Sequence, residues 1–331
     1  MAQGTMTNIT AMLSQSELDI VNIKVLKNLK HTSLGIMSSA SPDNPKVVAG
    51  GGTANFKVQK YLQSAEYTSA NRNNSGDIVK QELKVKIDIE KAIKVHYEIE
   101  TLELDGLDFA SRSAYISHIQ GGIQLTLTAL MDAYMIKLAV EAAAANKTTN
   151  EIINSKFLLE TEMTAAEREA AYLQIADAKI DIAKQVTRYN IGSNPNDYST
   201  FLFQKLTNRL LLAMPKGGDS ATQVGRELSG MEGITRIAGL GTVKDHLFLG
   251  KKIDAGSAFS KDENFDFSKV AGATIHNEAL FLATQGMQTV AASDPNSGNQ
   301  KYITKFNLFR GPVRPELVAV YRTVASPDTR K

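Results

Sequence analysis

Residues 108–145 read DFASRSAYISHIQGGIQLTLTALMDAYMIKLAVEAAAA. Apolar residues are dense in this stretch: Phe109, Tyr115, Ile116, Ile119, Ile123, Leu127, Leu130, Tyr134 and Leu138. Ala142 to Ala145 close the run before Asn146. The pattern predicts a helix over 108–145, about 55 Å long at ~1.5 Å per residue, with a kink or weak turn expected at Gly121-Gly122. The most apolar part, Ile123 to Ala145, carries Asp132, Lys137 and Glu141. Those charges argue against a lipid-spanning segment and for a helix buried in protein. A helix of this length suits a structural spine better than a pocket wall.

Upstream, Leu83, Val85, Ile87 and Ile89 alternate with Lys84, Lys86, Asp88 and Glu90, and Ile93, Val95, Tyr97 and Ile99 with Lys94, His96, Glu98 and Glu100. Both runs have the period of strands. A reversal at Lys91 would pair them, facing Ile87 with Val95 and Lys84 with Glu98, with apolar pairs on one face and opposite charges on the other. A continuous bent strand is the alternative. Residues 46–80 lie between Gly50-Gly51-Gly52 and Asn71-Arg72-Asn73-Asn74-Ser75-Gly76 and read as a long functional loop. Residues 1–45 read as an extended arm. Leu18, Val21, Val25 and Leu29 form its one helix, followed by a Ser/Pro linker at 38–45.

Downstream, Thr164 and Glu167 make a capping box for a helix over 164–186, with Leu173, Ala176, Ile180 and Ala183 as the expected buried stripe. A helix is predicted over 198–213 on the row Leu202, Leu206, Leu210, with a helical turn at 220–229 and strands near 234–238 and 246–249. A strand at 273–275, a helix from Asn277 to Val290, a loop at 294–299, a strand at 302–309, a bend at 311–316 and a closing strand at 317–321 complete the chain. The mixture lacks a βαβ repeat, so the expected class is α+β.

The chain has 331 residues, 43% hydrophobic and 22% charged, which excludes wholesale disorder. Lys plus Arg is 37 and Asp plus Glu is 35. A dedicated nucleic-acid binder would carry a clustered basic excess instead. With no cysteine, disulfides, thiolate metal sites and cysteine nucleophiles are excluded. The N-terminus shows no basic region followed by an apolar run, so no export signal is read there. Synthesis and assembly are expected in the cytoplasm.

The candidate chemistry is sparse. Gly50-Gly51-Gly52-Thr53 lacks the lysine of a phosphate loop, and Gly239-Leu240-Gly241 lacks the third glycine of a dinucleotide fingerprint. Asp262 to Asp266 is followed by Phe267 where a calcium loop needs glycine. His276 reads as a capping or packing histidine, since no Gly-x-Ser-x-Gly elbow accompanies it. Lys24, Lys27 and Lys30 form a short basic face, either solvated or touching nucleic acid. Neither a catalytic constellation nor a cofactor or metal site emerges. A long helix, a long loop and an arm point to work done by surface, in an assembly.

Three stretches carry a family resemblance: Glu103-Leu104-Asp105-Gly106-Leu107-Asp108 ahead of the long helix, His276-Asn277-Glu278-Ala279-Leu280, and Gly311-Pro312-Val313-Arg314-Pro315-Glu316-Leu317-Val318. With the order of elements, they resemble the major capsid proteins of tailed phages with the Hong Kong 97-type fold. The last stretch is similar to a Gly-x-x-x-Arg-Pro-Glu-x-Val ending, with one residue fewer between Gly and Arg. His276 to Leu280 resembles the helix start before the axial domain's final strands.

The resemblance implies an N-terminal arm (1–45), an E-loop (46–92), a peripheral domain (93–162) with its spine helix (108–145), an axial domain (163–310) and a C-terminal strand (311–331) returning to the peripheral domain. It implies a non-enzymatic shell protein, packing as hexamers and pentamers around double-stranded DNA in a virion, without cofactor or membrane. Portal, scaffold and decoration proteins are the implied partners. Lys57, Lys60, Arg72, Lys84, Glu98, Arg314 and Glu316 are candidates for intersubunit contacts, and Lys24, Lys27 and Lys30 for facing the genome. Some relatives cross-link a Lys to an Asn beside a Glu; Lys57 and Lys60 lie in the loop, but nothing in the spacing singles out such a triad. The short arm leaves no room for a fused scaffold, so any scaffold is expected to be separate or absent and the arm to persist. A cellular nanocompartment shell of the encapsulin type and a small-molecule enzyme are the alternative readings.

Overall fold

The computed structural model describes residues 15–43, 45–46, 52–59, 82–99, 109–145, 151–159, 162–188, 197–213, 234–237, 240–256, 263–293 and 300–324. In chain order its elements are α1 (Gln15–Thr32), α2 (Leu34–Met37), β1 (Ala54–Gln59), β2 (Glu82–Ile87), β3 (Ile89–Ile99), α3 (Phe109–Ala145), β4 (Glu151–Ile153), α4 (Ala165–Arg188), β5 (Tyr198–Leu202) and α5 (Gln204–Ala213). There follow β6 (Ile234–Ile237), β7 (Gly241–Asp245), β8 (Lys252–Ile253), β9 (Phe265–Asp266), β10 (Val270–His276), β11 (Leu280–Ser293), β12 (Gln300–Pro312) and β13 (Val318–Arg322). The class is mixed α and β, as expected.

The core is built on α3, which runs helical through Gly121-Gly122 for 37 residues. Its C-terminal half is buried on nearly every side, at Leu130, Met131, Ala133, Tyr134, Met135, Ile136, Leu138 and Ala139. Three bodies cover it: the arm helices α1 and α2, a six-stranded sheet ordered β4-β13-β10-β5-β7-β6, and a three-stranded sheet ordered β11-β12-β3. Each large apolar side chain removed from water here stabilises the fold by roughly 1.5–3 kcal/mol. This helix is long and apolar enough to cross a membrane. Two of its charges have partners in the protein, Asp132 with Lys244 and Lys137 with Glu263, while Glu141 is exposed.

The strands at 82–99 pair differently from the expected hairpin. The chain does not reverse at Lys91; β3 continues from Ile89 to Ile99 with a register shift against β12 between Ile89 and Lys91, and the break falls at Asp88, nearer to the bent-strand alternative. β2 pairs antiparallel with β1, and β3 pairs antiparallel with β12. Lys84 therefore stands opposite Lys57, and Glu98 opposite Lys301. The alternation correctly marked two strands, but the turn between them has no Gly or Asn to close a hairpin. Partners far away in sequence take both instead.

Asn277 to Val290 is likewise a strand rather than a helix. His276 to Ala279 makes a tight turn, in which the Ala279 amide donates to the His276 carbonyl at 2.9 Å. From there β11 runs alongside β12, from Leu280 opposite Pro312 to Ser293 opposite Gln300. Ala279, Leu280, Leu282 and Ala283 fit a helical template equally well. Pairing with β12 and the edge-on stacking of Phe281 on Phe56 and Phe309 decide for strand.

Further corrections are local. Residues 198–202 form β5, so the helix starts only at Gln204, though Leu206 and Leu210 are buried as expected. Residues 247–250 are a turn, and the strand there is β7. The capping box of α4 forms: the Thr164 amide donates to Glu167 Oε2 at 2.8 Å, and the Glu167 amide donates to Thr164 Oγ1 at 3.3 Å. Its buried stripe, however, is Ala171, Ile175, Ala178 and Ile182, while Leu173 and Ile180 are half exposed. Ala176 and Ala183 of the expected stripe are partly buried against the same core, so the inward face is turned by one position rather than reversed. The turn expected at 220–229 and the loop at 294–299 lie outside the described residues.

Two glycines mark close approaches. A Cβ at Gly272 would stand 2.3 Å from the Phe201 carbonyl oxygen, where β10 and β5 meet. A Cβ at Gly311 would stand 2.8 Å from Ile87 Cδ1, where the end of β12 meets β2.

The register makes a prediction opposite in sign to that of the expected hairpin. Like charges directly opposite each other in an antiparallel pair are destabilising. Lys84→Glu, placed across from Lys57, should therefore stabilise the protein by about 0.2–1 kcal/mol. Lys301→Glu, placed across from Glu98, should weaken it by a similar amount. Urea unfolding of both single variants, and of Glu98→Lys/Lys301→Glu, checks the register.

Candidate assembly surfaces and their buried anchor

The arm is seated on the body by a buried polar cluster. α1 lies alongside α3, with Val25 and Leu29 buried between them. Asn28 Nδ2 donates to Gln124 Oε1 at 3.2 Å, and the Thr32 and Thr128 hydroxyls lie 3.0 Å apart. One turn on, Asp132 Oδ1 accepts from Ser33 Oγ at 2.7 Å and from the Gly35 amide at 2.8 Å. Asp132 Oδ2 pairs with Lys244 Nζ at 2.7 Å, and that ammonium also donates to the Thr32 carbonyl at 2.8 Å. Asp132 is 1% exposed. A carboxylate is tolerated at such depth only with paired charge and hydrogen bonds on both oxygens. The sequence reading used Asp132 solely as a charge against membrane insertion; a lone acid within an apolar helix was the signal available. Ser33, Gly35 and Lys244 had none.

Beside this cluster lies a groove of about 530 Å³, lined by α3, Thr32 and residues 244–248. It is of ligand size, and it contains two shifted titratable groups. Burial holds the His246 imidazole below its ordinary value, opposed by the nearby Asp132 charge and the Ala129 carbonyl. Burial likewise pushes the Asp245 carboxyl up, against a hydrogen bond donated by Thr207. Both are engaged by the fold. His246 Nε2 faces the Ala129 carbonyl at 3.3 Å, and Nδ1 accepts from the Phe248 amide at 3.4 Å. Asp245 accepts from Thr207 Oγ1 at 2.5 Å. Among the described residues, no group of three His, Cys, Asp or Glu side chains is placed to hold a metal. The groove's rim is apolar: Leu125 and Leu247 are 66% and 71% exposed.

No family description matches the sequence, and no curated protein does. Solved structures do match in three dimensions. One, titled Mycobacterium phage Che8, is 13% identical and covers 89% of this chain and 92% of its own, with a TM-score of 0.53. Another, titled Microbacterium phage Oxtober96, is 11% identical and covers 88% and 91%, with a TM-score of 0.51. The asymmetric unit of the bacteriophage PhiM1 mature capsid is 13% identical over 89% and 88%, with a TM-score of 0.49. The chain shares its fold with the Che8 and Oxtober96 phage structures.

Within this fold the sequence-predicted residues are scattered. Lys24 and Lys27 are exposed on α1, and Lys30 lies on the same helix. Lys57 and Lys84 stand opposite each other in the β1–β2 ribbon, and Glu98 lies on β3. Lys60 and Arg72 lie outside the described residues. Glu316 is half-buried in a 3₁₀ turn, Pro315–Leu317. Arg314, a candidate for an intersubunit contact, is buried in the single chain, where its guanidinium meets the Glu278 carboxylate at 2.5 Å. His276 is buried at the turn before β11, with Nδ1 accepting from the Glu278 amide at 3.2 Å. That is a packing role in a turn, whereas the resemblance placed it at a helix start. Glu263, from the rejected calcium-like stretch, accepts from Tyr134 Oη and Lys137 Nζ at 2.6 Å each, tying its loop to α3.

Removing one partner of a buried ion pair strands the other charge. Asp132→Ala should therefore cost about 3–5 kcal/mol, and Asp132→Ala/Lys244→Met distinctly less. Denaturant midpoints of the two variants check this ordering.

The buried histidines set a pH dependence. Burial lowers the folded-state values of His246 and His276, so the unfolded chain takes up these protons first. Their contribution is complete above the ordinary value of about 6.5 and is lost as pH falls from there through the folded values. Asp245, whose folded value is raised, acts in the opposite sense at lower pH. The urea midpoint should fall between about pH 7.5 and about pH 5.5, and His246→Gln should flatten that slope.

Proposed function

We propose that this chain is a major capsid protein, which self-assembles into an icosahedral shell enclosing a phage's double-stranded DNA. The observation that carries the reading is the shared fold, spanning about nine-tenths of this chain and of the Che8 structure. It is supported by exposed apolar side chains on three parts of the chain: Ile20 and Ile23 on α1, Leu173 and Ile180 on α4, and Leu125 and Leu247 at the groove. Several separated apolar patches suit a subunit that contacts several neighbours. The groove's shifted groups are held by the fold itself, which favours a structural role over an enzymatic one.

In this reading α1 belongs to the N-terminal arm (1–45), the β1–β2 ribbon to the E-loop (46–92), and α3 is the spine helix of the peripheral domain (93–162). Residues 163–310 form the axial domain, and β13 carries the C-terminal segment (311–331) back to the peripheral domain. The subunits pack as hexamers and pentamers in a virion, assembled in the host cytoplasm. A portal and separate scaffold or decoration proteins complete the shell. Lys57, Lys60, Arg72, Lys84, Glu98 and Glu316 contribute intersubunit contacts. Lys24, Lys27 and Lys30 face packaged DNA without sequence preference.

Electron microscopy of the purified protein, alone and co-expressed with its neighbouring open reading frames, tests the proposal. Closed shells are the expected outcome, and shells holding double-stranded DNA after infection assign them to a virion. Shells that enclose a protein cargo and no genome would favour the nanocompartment reading. A monomer under every assembly condition would refute both.

A further inference from the structure

Between the arm and the β1–β2 ribbon the chain crosses the body as a strap, residues 33–43. Each part of it is held by a different element. At its start, Ser33 and Gly35 are fixed on Asp132 of α3. Gly35 lies so close that a Cβ would stand 3.0 Å from both the Met131 carbonyl oxygen and Met135 Cβ. In the middle, Ser39 Oγ accepts from the Leu282 amide at 2.8 Å, and the Ala40 amide donates to the Leu280 carbonyl at 2.7 Å. At its end, the Asp43 amide donates to the Asn55 carbonyl of β1 at 2.9 Å. The ribbon is seated on the same sheet: Phe56 stacks edge-on against Phe281 at 5.0 Å, and Ile87 covers Gly311. Thr53 is hydrogen-bonded to Asp88, which closes the base of the ribbon.

We propose that this strap is a mechanical coupler, through which the seating of the arm on Asp132 sets the position of the ribbon. The strap has little slack. Ser33, Leu34, Gly35, Ser38 and Ala40 are all buried, so a shift at Asp132 cannot be absorbed by a free loop before Ala40. Its next fixed point is the sheet that carries Phe281, against which the ribbon packs. The Asp132 cluster and the ribbon therefore form one unit, and loosening the first loosens the second. The inference concerns the single subunit and does not depend on the shell-forming reading.

Amide hydrogen exchange on the full-length chain tests it. Asp132→Ala/Lys244→Met removes the anchor without leaving a buried charge. Exchange should quicken about tenfold at Gly35, Ala40, Asp43 and Ala54–Gln59, as expected when hydrogen bonds open locally, with β10 and β13 unchanged. Ser39→Ala breaks the strap in the middle. It should quicken exchange at Leu282 and in β1 while leaving Gly35 protected, and it decides the matter if the double variant does not fold. A rise confined to residues 33–37, a uniform rise over the whole chain, or an unchanged ribbon in Ser39→Ala would overturn the coupling.

Discussion

Asp132 is the point at which three remote segments of the chain converge. Its carboxylate, deep in the apolar half of α3, binds the Ser33 hydroxyl and the Gly35 amide of the arm and the Lys244 ammonium of β7. A buried ion pair adds little net stability, because desolvation offsets most of the attraction. It does penalise alternatives: any other seating of the arm takes the Ser33 and Gly35 hydrogen bonds from the buried Asp132 carboxylate and the Thr32 carbonyl from the Lys244 ammonium. The cluster thus selects one arrangement of arm, helix and sheet, while apolar burial around Leu127, Met131, Met135 and Ile136 supplies the stabilisation.

That division of labour explains the architecture around α3. A helix apolar on all sides must be enclosed, and here the arm and two sheets enclose it. The six-stranded sheet is itself bound by a buried hydroxyl chain across three neighbouring strands, from Thr200 through Thr274 to Tyr321. Burial pushes the Tyr321 phenol up, keeping it neutral as a hydrogen-bonding group. Ion pairs Arg314–Glu278 and Arg322–Glu151 hold the turn before β11 and the edge strand β4. Of the charged residues that the sequence offers for binding, Arg314 is one that closes this enclosure.

A fold shared with phage structures at 11–13% identity is consistent with such a design. What α3 requires is apolar cover of suitable shape, and many side-chain combinations supply it. Leu125, Leu247, Leu173 and Ile180 lie outside that cover and are exposed.

Periodicity along one element is a local property, and where it decided the outcome the sequence alone sufficed. The helix over Phe109–Ala145, the capping box at Thr164 and Glu167, the buried row Leu206–Leu210 and the strands at 83–99 are all legible in residue order. Choice of partner is not local. Whether β2 and β3 pair with each other or with β1 and β12, whether residues 280–293 coil or extend, and which stripe of α4 faces inward depend on distant surfaces. Asp132 illustrates the limit. Its charge is visible in the sequence, but only the folded chain brings Ser33, about a hundred residues before it, and Lys244, more than a hundred after it, within hydrogen-bond reach. Interactions of a few ångströms carry no signature in a separation of that length.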